Sequence, residues 1–122
     1  ALRRLRKKID KASADGMIKA VDGRLLNIRS QHSALNTLLQ GMGAIVCKYW
    51  LIEIIKRIHK HKLDAKLVAS IHDEYQFDVH KDCAEDFAMH TNKAIKDVEI
   101  DLELRCPLDS DYKIGNNWCE TH

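Results

Sequence analysis

The amino-acid sequence predicts an α+β fold, an antiparallel β-sheet with helices packed on one face, and three observations carry that reading. Apolar residues recur at helical spacing in three long segments. Runs rich in β-branched and aromatic residues come in two pairs separated by turn-length gaps. The resulting order of hairpin, two helices, hairpin, helix and strand places antiparallel pairs against helices in one layered domain or part of one, spanning 1–122.

The chain opens on Leu2-Arg3-Arg4-Leu5-Arg6-Lys7-Lys8-Ile9, where Leu2, Leu5 and Ile9 keep helical spacing among five cations, so a short basic helix is expected. The absence of a leading Met suggests excision from something longer. Met17 to Val21 and Arg24 to Ile28 flank Asp22-Gly23, the signal of a hairpin with a type I′ turn. Ser30 to Cys47 then runs 18 residues without a charge in a chain that is 31% charged. On a helix His32, Asn36 and Gln40 line up at i, i+4 and i+8, with Leu35, Leu38 and Leu39 on the neighbouring face. Solvated faces usually carry Glu and Lys; uncharged amides suit close hydrogen bonding, to a nucleic-acid minor groove or to other protein.

Gly41 and Gly43 are expected to break or kink that helix before a second one, Ala44 to about His61, rich in Ile and mostly core. His59-Lys60-His61 reads as its exposed end. Leu67 to Ile71 and Tyr75 to Val79 form a second hairpin with His72, Asp73 and Glu74 at its tip. Asp82-Cys83-Ala84-Glu85 has the spacing of a reciprocally capped helix start, and Ala84, Phe87, Ala88, Thr91, Ala94, Ile95 and Val98 mark one buried face. Ile100 to Cys106 alternates, so a half-buried strand closed by Pro107 is expected; the tail beyond shows little periodicity.

Length allows one core, and 45% apolar content fills it. No signal pattern or uninterrupted membrane-length apolar run is present, which points to a soluble intracellular protein without a membrane partner. Cys47, Cys83, Cys106 and Cys119 are scattered and read as free thiols in a reducing compartment; Cys119 and His122 alone have ligand-like spacing, half of a zinc site at most. Net charge of +2 conceals a division: residues 1–62 hold 14 Lys and Arg against 4 Asp and Glu, whereas 63–122 hold 6 against 14. A basic half suits a polyanion, and an acidic half suits metal ions or solubility.

Ser70-Ile71-His72-Asp73-Glu74-Tyr75 concentrates the chemistry, since adjacent carboxylates stand between two apolar runs with no Gly to make the turn. Strand alternation lets only one of them aim at a given point, so a single principal ligand is expected. This motif resembles the third palm motif of family A DNA polymerases, the polymerase I type and its short-tailed phage relatives. The resemblance extends through Asp22-Gly23-Arg24, Arg29-Ser30, His32, the run Ala34 to Gln40 and Gly43-Ala44, and downstream through Gly115, Asn117-Trp118 and His122.

The resemblance implies a palm fragment of a DNA-directed DNA polymerase, working in a bacterial or phage-infected cytoplasm on primer-template DNA and deoxynucleoside triphosphates. Asp73 then matches a ligand of two Mg²⁺ ions, Glu74 an accompanying acidic position and His72 a residue near the primer terminus. Asn36 and Gln40 match minor-groove contacts at the terminal base pair. Arg29 belongs to the DNA-binding set, and His32 stands where many members carry Arg. With one shared carboxylate, no first palm motif and no fingers helix, the isolated chain is expected to be inactive, to need the remaining polymerase subdomains, and to self-associate. The alternative is a stand-alone nucleic-acid-binding or interaction module on a palm-like scaffold.

Overall fold

A computed structural model describes residues 2–121, the side chain of Leu2 excepted, so the expectations for His122 lie outside the described residues. The elements are α1 (Leu2–Ala12), β1 (Met17–Lys19), β2 (Leu25–Asn27), α2 (Ala34–His61), β3 (Ala65–Ile71), β4 (Glu74–Val79), α3 (Ala84–Asp101) and α4 (Trp118–Thr121), with single 3₁₀ turns at Gln31–Ser33 and Lys81–Cys83. Helices and antiparallel strands are thus both present, in two compact units, Ala1–Val46 and Cys47–His122. The strands form two separate two-stranded sheets, β1-β2 and β3-β4, in place of one continuous sheet.

In the first unit α1 forms as expected, but Leu5 is exposed and only Ile9 is buried, with Ile18 and Ala34, while Leu26, Ile28, Leu35 and Leu38 pack against them. Burying a side chain such as Ile9 contributes about 1.5–3 kcal/mol toward docking a helix whose other described residues are largely cationic. The β1-β2 connection is a correction to the expected type I′ turn. Ala20 N donates to Arg24 O at 2.7 Å and Gly23 N to Ala20 O at 3.0 Å, so the loop has three residues. Gly23 takes φ +86 and Asp22 is not among the positive-φ residues, as in a type I turn followed by a left-handed residue. Asp22 Oδ1 accepts from Arg24 N at 3.3 Å, a local bond that favours this longer loop.

The expected break at Gly41 and Gly43 does not occur, and α2 continues through both for 28 residues. Two glycines cost a helix only about 1 kcal/mol each, which packing along its length outweighs. Gly41 has a packing role: a Cβ there would stand 2.9 Å from Leu26 Cδ1, so a larger residue would require that side chain to shift. By length and composition alone, Gln31–His61 is long and apolar enough to cross a membrane. On this helix, expected to be mostly core, Tyr49 and Ile52 are exposed.

In the second unit Ile54, Ala65, Phe87 and Ala94 form the core, joined by Trp50, Ile58, Leu63, Phe77 and Val79. Trp50 Nε1 donates to Thr91 O at 2.9 Å, which satisfies the indole inside the α2-α3 seam. Lys62 ends α2 in the left-handed conformation, φ 53, with Leu63 N returning to Ile58 O at 3.1 Å. The predicted buried face of α3 is present in Phe87, Ala88, Thr91, Ala94, Ile95 and Val98, to which His90 is added. The reciprocal cap is absent: Cys83 is the N-cap and makes no side-chain cap bond, and His80 Nδ1 accepts from Asp82 N at 3.4 Å instead.

The strand expected at Ile100 to Cys106 is also overturned. α3 runs to Asp101 and ends in a 6→1 bond from Leu104 N to Glu99 O and a 4→1 bond from Glu103 N to Ile100 O, each 3.0 Å, with Glu103 at φ 49. This reversal satisfies the last carbonyls of the helix and consumes the residues whose alternation suggested a strand. The tail then returns along α3: Leu108 N donates to Glu99 Oε2 at 2.8 Å, Ser110 Oγ to Asn92 Oδ1 at 2.7 Å and Tyr112 OH to Glu85 Oε2 at 3.4 Å.

His90 lies against His61, ring centroids 4.1 Å apart, with Arg57 Nη1 at 3.4 Å and Asp86 Oδ1 at 3.8 Å. Burial, and then His61, hold its pKa below the ordinary imidazole value, with Arg57 and Lys93 adding to the effect and Asp86 opposing it. The unfolded chain therefore binds this proton more readily. The contribution is complete above the ordinary value and is lost as pH falls through it toward the lowered native value. Denaturant midpoints of the chain should fall from about pH 7.5 to about pH 5.5, and His90→Asn should flatten that fall. An unchanged slope in the variant would show that His90 is not the responsible group.

Candidate active site at the hairpin tip

β3 and β4 pair Ile71 with Glu74, so the loop between them is the two residues His72 and Asp73 alone. Glu74, expected at the tip, is the first residue of β4. The missing glycine is accounted for by His72, whose φ of +54 supplies the positive value that two-residue loops require at their first position. Histidine is among the few non-glycine residues enriched in that region. Below the tip, the register slips between Leu67 and Ala69, leaving Val68 as an extra, exposed residue in β3.

Alternation on β4 separates two faces. Tyr75, Phe77 and Val79 take one; Phe77 and Val79 join the core, and the Tyr75 ring stands 5.4 Å from Trp50. Glu74, Gln76 and Asp78 take the other. Gln76 Nε2 donates to Glu74 Oε1, so Glu74 is held along β4. Asp73, at the tip, is exposed. It lies close enough to α2 to act on Cys47: burial, and then the Asp73 charge, push the Cys47 thiol up. Tyr75 is also raised, by burial and then by Cys47, while a hydrogen bond with Ser70 opposes the shift.

His72, Asp73 and Glu74 are thus adjacent, with Asp73 the foremost carboxylate. Asn36 and Gln40 are exposed, one turn apart on α2 in the first unit, where their amides are available to a partner. His32 is exposed in the 3₁₀ turn before α2, one element earlier than the predicted helix, and Arg29 is exposed ahead of it. Sequence does not single out Gln76 or Thr121, and it marks Cys47 only as a free thiol. The polar alternation Glu74-Gln76-Asp78 was the available signal for Gln76, whereas nothing local marks Thr121.

No group of three His, Cys, Asp or Glu among the described residues is placed to hold a metal ion. At the tip the chain offers one exposed carboxylate, Asp73, in a two-residue loop. The four cysteines are free.

Residues 5–120 match the model of DNA polymerase family A. The chain is 39% identical over 117 residues to a DNA-directed DNA polymerase of Escherichia phage Phieco32, covering 90% of this chain and 19% of that protein. It is 37% identical over 112 residues to that of Escherichia phage T7, covering 86% of this chain and 16% of the relative. The chain therefore spans less than a fifth of the length of these relatives. Among solved structures it is similar to the POL domain of Pol1 from M. smegmatis, in complex with DNA primer-template and dNTP, with a TM-score of 0.69 and 22% identity over 79% of this chain and 19% of that one. With the match covering nearly all of its length, from the basic helix to the last turn, this chain belongs to DNA polymerase family A.

Proposed function

We propose that the chain is the carboxyl-terminal part of a polymerase palm subdomain, and that in a complete polymerase it helps add deoxynucleotides to a primer 3′ end. The observation that carries the reading is Asp73, exposed at a two-residue hairpin tip within a match to the family that spans 5–120. When bound, a pair of Mg²⁺ ions supplies charge stabilisation to the attacking and leaving oxygens of phosphoryl transfer. Asp73 contributes one anionic ligand, and further carboxylates come from outside this chain. His72, beside it, is assigned to the primer terminus. Asn36 and Gln40 donate to minor-groove acceptors, and His32 and Arg29 lie along the DNA path. Glu74 has a secondary role because its carboxylate is engaged along β4.

Primer-template DNA and deoxynucleoside triphosphates are the proposed partners, a reading supported by the DNA primer-template and dNTP in the M. smegmatis complex. The phage and bacterial origin of the relatives supports action in a bacterial cytoplasm. Family membership favours α2 as a polymerase helix over a membrane span. Leu39, Tyr49 and Ile52 on α2 are exposed, which supports contact with the remaining polymerase subdomains and, in their absence, with further copies of the chain. Sedimentation of the isolated chain at high micromolar concentration should show association; a sharp monomer boundary would count against it.

The test of function is exchange of this chain for the matching segment of the phage T7 relative. The exchanged polymerase should extend a primer, whereas the isolated chain should not. A folded exchanged protein that binds primer-template and never extends it would overturn the reading.

A further inference from the structure

The last turn of the chain is bonded to the active-site hairpin. Thr121 Oγ1 lies 3.2 Å from Gln76 Oε1, and its proton is shared with Trp118 O, also at 3.2 Å. Gln76 in turn donates through Nε2 to Glu74 Oε1. The orientation of the Gln76 amide follows from chemistry. An ionised carboxylate only accepts, so the NH₂ end must face Glu74, and the carbonyl end is left for the Thr121 hydroxyl. The turn carrying Thr121 is fixed at its start: Glu120 accepts from Asn116 N at 2.7 Å and from Asn117 Nδ2 at 2.8 Å. Glu74 and Gln76, two apart on β4, share the face opposite Tyr75 and Phe77.

From this relay we infer that Gln76 is a positioning residue, and that α4 acts through it to hold the Glu74 carboxylate along the strand and away from Asp73. Neighbouring negative charges repel. With Glu74 held, Asp73 alone addresses the point beyond the tip. Loss of the Gln76 bond weakens that hold and lets the second negative charge shift toward the same point. The inference rests on the polymerase reading above and adds to it a role for the carboxyl-terminal turn.

The experiment uses the exchanged polymerase with Gln76→Met, which keeps length without the amide, and Thr121→Val and Thr121→Ser, which remove and keep the hydroxyl. Gln76→Met and Thr121→Val should lower kcat by about five- to tenfold, the scale of one ordinary intramolecular hydrogen bond. KM for primer-template should be unchanged, and Thr121→Ser should stay at the wild-type rate. In the isolated chain, amide exchange at Glu120 and Thr121 should quicken in Gln76→Met. Wild-type kcat in both Gln76→Met and Thr121→Val would overturn the inference, as would equal losses in Thr121→Val and Thr121→Ser. Asp73→Asn in the same assay separates the two failures. If it abolishes extension while the relay variants are normal, only the relay is wrong; if it leaves extension intact, the polymerase reading falls and the inference with it.

Discussion

Asp73→Asn in the exchanged polymerase should lower single-turnover primer extension by a factor of about 10² to 10³, the scale of losing one preorganised electrostatic contact to a transition state. The substitution keeps the shape of the side chain, removes its charge and replaces one acceptor oxygen by an NH₂ donor. It lies in a two-residue loop whose strained position is the neighbouring His72, so asparagine needs no backbone adjustment. The side chain is exposed and outside the core, so the fold should survive. Primer-template affinity, dominated by phosphate contacts elsewhere, should change little. Rapid quench of a single turnover, beside a binding titration, measures both. A large loss of affinity with an intact rate would place Asp73 in DNA binding instead.

Gln40→Ala should act on a different quantity. Minor-groove acceptors occupy nearly the same places in every correct pair, and a mismatch displaces them. An amide donor on an exposed helix face can therefore report correct pairing without reading sequence. Its removal should slow extension from a matched primer end by about tenfold, the lower end of what a good base contact is worth, and slow a mismatched end much less, because there the contact is already lost. Matched and mismatched ends compared at saturating nucleotide give the result directly. Equal effects on both ends would refute the role, and Asn36→Ala, four residues earlier on α2, provides an independent copy of the test.

The parts of this molecule that were legible in sequence are those set by local pattern. Ile9, Phe87 and Val98 sit on faces that helical spacing identifies, and each is buried. The motif hairpin was readable from its β-branched and aromatic strands, although nothing in the sequence indicated that His72 would take the left-handed conformation in place of glycine. Expectations failed where a local signal had more than one structural use. Gly41 has the identity of a helix breaker, yet its role is set by Leu26, fifteen residues earlier, whose side chain would have to shift to admit a larger residue. Alternation from Ile100 onward suggested a strand, but a strand needs a partner edge, and the helix-ending bonds of Leu104 and Glu103 use the same backbone groups. At the site, Asp73 and Glu74 were visible as carboxylates, while their separation depends on Gln76 and on Thr121, 45 residues further on, a contact that only folding creates.

The central claim, that the hairpin tip works through the charge of Asp73 alone, is tested most directly by single-turnover extension with Asp73→Asn beside Glu74→Gln in the exchanged polymerase. Glutamine at position 74 can still accept a hydrogen bond from Gln76, so it preserves the relay while removing the second charge. The account predicts a fall of about 10²-fold or more for Asp73→Asn and less than about tenfold for Glu74→Gln. Equal falls for the two, or an Asp73→Asn enzyme extending at the wild-type rate, would contradict it.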